Sequence, residues 1–456
     1  MFGGPPRAGL VAVLAAALLI APVPGSMAQA PAQTVVVIRD AETETLLRTF
    51  ANPLFRASGI EPGSVRIILI RDDALNAFVS TGNRLFINTG IIARADSALE
   101  VIGLVAHEAG HIRGGHIAKL PEMMRDAMIK SIAAMLIGIA AGTVGRTADA
   151  GMGAILGGQQ LAQRGLMSFT RSMENGADQS ALYALDRVGW SARGLISLFR
   201  RVQDQDALVD ALQDPYLRTH PLTRDRIEAV NAHIARSPHS DARLPAGFDT
   251  GFLMVRAKLR GFLEPSSLTL RRLREDDTSA PARYARAIAL FRLGRTDDAL
   301  KLIDGLLADM PTSPWLHELK GQILFEGGRG AAALGPYREA ARLAPEHAPL
   351  RAALARAMIE TGEPAQLRQA IGHLQSALAR EHDDADSWRR LGIAWGRLGD
   401  LGQADLALAE EALVLGDIAR ARVLARRAEK QLPPGPSRLR AVDVGNAVRK
   451  ENREGF

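Results

Sequence analysis

Late in this chain of 456 residues, Gly294, Ala299 and Pro311 return as Gly328, Ala333 and Pro345, 34 residues on, and Gly362 follows after another 34. A fixed period of this length constrains the fold more than any local signal. Each copy must be one supersecondary unit that buries its apolar face only by stacking on its neighbours. From about Ala282 the chain is rich in Ala, Leu and Arg at helical spacing. A glycine where one helix turns tightly, an alanine where its partner comes close and a proline where the second helix stops together describe a helix pair. Gly399 with Ala404, and Gly416 with Ala421 and Pro433, continue the pattern, but Gly362 to Gly399 is 37 and Gly399 to Gly416 only 17. The last helices are therefore expected to leave the regular pairing.

Thirty-four residues is the tetratricopeptide period, so 282–434 is read as an all-α superhelix whose concave face suits an extended chain or a partner protein. Residues 262–281 form a linker to it and 435–456 a tail. Trp315, Trp388 and Trp395 are read as core.

The other end of the chain reads as an address. Arg7 precedes an apolar run from Leu10 to Ala21, and small residues follow, so 1–28 is expected to be a signal peptide cut after Ala28. The run is shorter than the ~20 residues a membrane span needs. Export is therefore expected. No cysteine occurs, which excludes disulfides, thiolate metal sites, a cysteine nucleophile and an acylated cysteine behind the leader. The net charge of +6 comes without Lys/Arg runs interleaved with aromatics, which argues against nucleic acid and suits an anionic membrane face.

Residues 34–261 carry strand signals as well as helices, making the whole α+β but mainly α. Val65 to Ile70 is an apolar strand, and Gly82-Asn83 is a hairpin turn between Ala77–Thr81 and Arg84–Thr89. The strand Arg84, Leu85, Phe86, Ile87 and Asn88 is expected to offer an exposed edge along which substrate binds extended. Ala95 to Ala118 reads as a helix, with Leu99, Ile102, Val105, Ala109 and Ile112 at helical spacing. Ser131 to Gly145 is apolar and uncharged. Three readings stand open for it: a buried helix, a lid over the site, and a surface in peripheral contact with a membrane.

His107-Glu108-Ala109-Gly110-His111 lies within the Ala95–Ala118 helix. Residues four apart share a helical face, so both imidazoles can hold one zinc ion while Glu108 reaches the water bound there as general base. That pattern needs a third ligand. A histidine ten residues after the first would fall on Ile117, and His116 is one short. Glu174, with Asp178 one turn on, supplies the alternative, which makes the peptidase part gluzincin-like (HExxH plus Glu). Asp178 is then expected to orient a ligating histidine. One zinc per chain is expected on His107, His111 and Glu174. The other histidines, His116 among them, show no ligand spacing.

The HEAGH helix, the later ENGAD helix and the segment Thr219-His220-Pro221 resemble the zinc peptidases related to the CAAX prenyl endopeptidases and the HtpX heat-shock protease. A leader, a catalytic domain and C-terminal repeats together are similar to the branch of these enzymes that serves the assembly of bacterial outer-membrane β-barrels. The resemblance implies zinc, endopeptidase action on unfolded or misassembled envelope proteins, and engagement of substrate or of the outer-membrane assembly machinery by the repeats. It also implies that His220, with Arg226 nearby, acts on the zinc or on the transition state. Two roles stay open for His220: a fourth ligand that blocks the resting site, and a donor to the oxyanion. Two functions stay open as well, a protease in quality control and a repeat-based periplasmic chaperone or scaffold whose protease is mostly latent.

Overall fold

The computed structural model describes residues 36–119, 121–122, 125, 167, 170–206 and 220–454. The expected leader, the stretch 131–145 and Thr219 lie outside them. The described chain is mainly helical around one small sheet.

Four strands make that sheet: β1 (Val37–Ile38), β2 (Arg66–Ile70), β3 (Ala77–Ser80) and β4 (Arg84–Asn88), in the order β1-β2-β4-β3. β2 and β4 run parallel, and the other pairs are antiparallel. The β3–β4 turn closes through Gly82 and Asn83, both at positive φ (73° and 53°), as a tight hairpin requires. β4 is bonded on both sides. This corrects the expectation that Arg84, Leu85, Phe86, Ile87 and Asn88 present a free edge. The hairpin signal announces one neighbour, while the second, β2, arrives by a parallel pairing that no local turn marks. The side chains agree with an interior strand: Leu85 and Ile87 are fully buried, and Phe86 stacks on Phe78 with centroids 4.9 Å apart. Among the described residues the free edges belong to β1 and β3.

Helix α1 (Ala41–Ala57) starts at Asp40, whose carboxylate accepts the Thr43 N–H, as an N-cap should. After α2 (Thr89–Arg94), helix α3 (Ala98–Gly114) runs through the core, buried from Glu100 to His111. It stops where Gly115 turns to φ 60°. Helices α4 (170–188) and α5 (Arg193–Asp206) cross α3 at backbone contact. A Cβ on Gly110 would lie 2.4 Å from the Ala177 carbonyl oxygen, and one on Gly194 would lie 1.9 Å from that of Leu99. Helix α6 (Arg224–Ile234) is capped by the Thr223 hydroxyl.

Helix α7 (Phe248–Leu263) belongs to two cores. Phe252, Val255 and Leu259 pack with Leu47, Phe50 and Ile102 of the first, while Met254 and Ala257 pack with Tyr284, Ile288 and Ile303 of the repeats. The expected linker contains a further helix, Ser266–Arg272. Five helix pairs then follow: Ala280–Arg292 with Thr296–Asp309, Pro314–Glu326 with Gly330–Leu343, Ala348–Thr361 with Pro364–Leu378, Ala385–Arg397 with Leu401–Val414, and Ile418–Gln431 with Pro436–Glu454. Gly294, Gly328, Gly362, Gly399 and Gly416 all take φ between 71° and 84°, the left-handed conformation that ends a helix without a Cβ penalty. Gly416 follows the second helix of its pair rather than the first, which accounts for the spacing of 17.

A buried polar cluster pins the repeats to α1. Lys258 of α7 lies 2.5 Å from Asp40, 3.2 Å from Glu42 and 3.6 Å from Glu318 of the repeats, and the Tyr284 hydroxyl donates to Glu42 at 2.8 Å. Burial, with the Asp40 charge adding to it and Lys258 opposing it, pushes Glu42 up to about 7. A folded-state pKa above the unfolded value means that ionising Glu42 opposes folding, so stability falls as pH rises from about 4.5 through about 7. At 1.36 kcal/mol per pH unit the loss approaches about 3 kcal/mol. Glu42→Gln should flatten this decline when unfolding free energy is measured by denaturant titration between pH 5 and pH 8. Parallel curves for the two proteins would remove Glu42 as its source.

Candidate metal centre

Helix α3 sets His107 and His111 one turn apart, both buried. The close crossing at Gly110 brings α4 against them, and Glu174 and Asp178 then face the two imidazoles. His220 enters from the segment just before α6. His107, His111, Glu174 and His220 form the one group among the described residues whose donor atoms converge as metal ligands do, within 4.8 Å of one another.

The separations have a specific meaning. His107 Nε2 lies 3.1 Å from His111 Nε2, 3.3 Å from His220 Nδ1 and 3.3 Å from Glu174. Glu174 lies 3.3 Å from His111 Nε2 and 3.1 Å from His220 Nδ1. A tetrahedral ion with bonds of about 2.0 Å has ligand atoms about 3.3 Å apart. Three imidazole nitrogens and a carboxylate aimed at one point call for shared protons or a metal ion between them, and the donor set and its spacing fit a divalent ion of zinc's size and preferences. The buried carboxylates make the spot attractive to positive charge. Against the cost of burial, Asp178 and Glu174 push His107 up to about 10. Glu174 is held far below the usual carboxylate range, despite its burial, by His107, His111 and His220.

Each candidate ligand on α3 is oriented from behind. The Nδ1–H of His107 donates to Asp178 Oδ1 at 2.9 Å, which leaves Nε2 free for the metal. Arg226 lies deeper and is 1 % exposed. It donates to Asp178 through Nε at 2.6 Å and through a terminal nitrogen at 3.0 Å. The other terminal nitrogen reaches Glu174 at 3.0 Å and the Pro221 carbonyl at 2.9 Å, and the guanidinium covers the Phe199 ring at 4.8 Å. The resemblance puts Arg226 near His220 at the site, acting on the zinc or on the transition state. The structure places it behind the ligands, where it ties α4 to the His220 segment. Glu108 is fully buried, and neither of its carboxylate oxygens has a hydrogen-bond partner among the described residues. It sits 3.6 Å from His220 Nε2, as a base awaiting a proton would.

Sequence reasoning missed His116. Its Nδ1 lies 2.9 Å from His111 Nδ1, so it does for His111 what Asp178 does for His107. The helical period hides this, because the Gly115 turn swings the chain back over the end of α3. The ring lies so close that a Cβ on Gly114 would come 2.2 Å from it. Gly115 as a helix stop was the available signal. Second partners of this kind are typically worth about 10–100-fold in metal affinity. His116→Ala should therefore weaken zinc binding in a chelator competition by about that factor. An unchanged affinity would leave His116 without this role.

Residues 40–234 match peptidase family M48, and residues 307–409 match a tetratricopeptide repeat family. A β-barrel assembly-enhancing protease from Yersinia pestis is 26% identical over 388 residues, covering 82% of this chain and 76% of that one. Its counterpart from Escherichia coli K12 is 24% identical over 379 residues, covering 80% and 74%. Among solved structures, one of MamA covers 36% of this chain and 93% of its own at 16% identity, with a TM-score of 0.32. The site and the comparisons agree: this chain is a metallopeptidase, with residues 40–234 similar to peptidase family M48 and a tetratricopeptide-like region after them.

Proposed function

We propose that the chain is an exported, periplasmic zinc endopeptidase that hydrolyses misfolded or misassembled envelope proteins and serves quality control of outer-membrane β-barrels. The observation that carries the reading is the convergence of His107, His111 and Glu174 beside the buried, unbonded Glu108. The names of the relatives support the substrate class. No helix of the described residues is long and apolar enough to cross a membrane, which is compatible with a peripheral enzyme.

Zinc held by His107, His111 and Glu174 would supply Lewis acidity toward water and the scissile carbonyl. The remaining chemistry falls to side chains. Glu108 takes a proton from the attacking water and hands it to the leaving amine. Asp178 and Arg226 keep the ligands from turning. Substrate is received along the free edge of β3, beside a cavity of about 220 Å³ lined by Ser80, Gly82, His111 and His116. An extended chain can add there as a further strand, which favours unfolded segments.

His220 acts as a latch in the resting enzyme. Its Nδ1 stands 3.1–3.3 Å from donor atoms of Glu174 and His107, a separation that suits a fourth ligand in the place water needs. The same placement favours the rival reading, a repeat-based chaperone with a mostly latent protease.

Two experiments separate these readings. Glu108→Gln should retain about one zinc per chain while digestion of an unfolded protein falls by about 10²–10⁴-fold. If that variant still supported barrel assembly as the unaltered chain does, the chaperone reading would replace the protease. With zinc content verified, His220→Ala should digest an unfolded protein faster. A large slowing would reassign His220 to the oxyanion.

A further inference from the structure

Residues 418–446 hold seven Lys/Arg and two Asp/Glu. This short segment at the end of the repeats therefore carries five of the chain's six net positive charges. Some are neutralised where they stand. Arg420 pairs with Glu411 at 2.9 Å, Arg427 with Asp405 at 3.1 Å and Arg440 with Glu410 at 2.5 Å. Arg426, Lys430 and Arg438 are exposed and pair with no carboxylate among the described residues.

Exposed apolar surface gathers at the same end. Leu401, Leu415, Val423 and Leu439 are 56–67 % exposed. Val423, Arg426 and Lys430 follow one another at three and four residues and so share a face of the helix Ile418–Gln431. The opposite face, with Ala421, Leu424, Ala425 and Ala428, is buried. Leu415 lies just before this helix, and Arg438 and Leu439 lie shortly after it. A helix pair that closes a stack should carry a polar outer face, because nothing packs on it. Aliphatic side chains more than half exposed among unpaired cations do not fit an outermost layer in water.

We propose that this outer face docks on an anionic lipid bilayer. The cations draw it to the negative surface, and Leu415, Val423 and Leu439 enter the boundary between headgroups and acyl chains. Lipid suits the pattern better than an acidic protein. Arg426 and Lys430 stand a helical turn apart, with no paired donors converging to grip one carboxylate, whereas a field of lipid headgroups needs only spaced charge. The proposal stands apart from peptide hydrolysis, since none of these residues lies near the metal centre.

Sedimentation of the chain from residue 29 onward with vesicles tests it. Vesicles of phosphatidylcholine containing about one third phosphatidylglycerol should bind the chain, and phosphatidylcholine alone should not. Binding should fade at about 0.5 M salt, where the Debye length is only a few ångströms. Combined Arg426→Glu, Lys430→Glu and Arg438→Glu should weaken binding by about tenfold or more. Val423→Ser with Leu439→Ser should weaken it at unchanged charge. Both variants should keep the melting temperature and the peptidase activity. Should the charge reversal lower the melting temperature, the Gln replacements at the same three positions give the same reading. The proposal is overturned if the unaltered chain fails to bind, if the variants bind as it does, which would put the contact elsewhere, or if polyglutamate binds in preference to the vesicles.

Discussion

Where α3 crosses α4, the two backbones are so near that a Cβ on Gly110 would lie 2.4 Å from the Ala177 carbonyl oxygen. The catalytic geometry descends from that contact. Two imidazoles one turn apart define only an edge of a coordination site. The carboxylate that completes it, and the one that holds His107 in the right tautomer, arrive together because Glu174 and Asp178 are themselves one turn apart on the helix that Gly110 admits. Arg226 then carries the constraint outward. It is buried because it answers two carboxylates at once, and a buried guanidinium with that many partners leaves α4 and the start of α6 little freedom to part.

The chemistry was legible in the sequence wherever it is local to a helix. The His107–His111 pair and the Glu174–Asp178 pair each obey the four-residue spacing of a single face, and Gly294, Gly328 and Gly362 obey a single period. What stayed hidden is what the chain does after a turn or across a distance. His116 follows Gly115, so its approach to His111 belongs to no helical face. The second neighbour of β4 comes from a parallel pairing with β2, across the intervening strand β3. Arg226 was placed near the site by the resemblance of the His220 segment, yet its direction depends on how α6 packs against α4 and α5, which no spacing records.

The boundary between the two parts is also less simple than the composition suggests. The repeat signal begins near Ala282, whereas the physical joint is α7, one helix whose faces serve two cores. Lys258 on that helix gathers Asp40 and Glu42 from the first part and Glu318 from the second. Ion pairs between Arg39 and Glu381 and between Arg66 and Asp383, at 2.8 and 2.5 Å, add contacts farther along.

A helix shared in this way makes the joint a weld rather than a hinge. Repeats on a loose tether could offer a captured protein to the protease from many directions, and nearly any bond within reach would then be at risk. Repeats fixed by α7 keep one arrangement against the first core, so a partner held on them meets the metal centre from a fixed side. Any reach between the two has to come from the partner's own extended chain, at roughly 3.3 Å per residue.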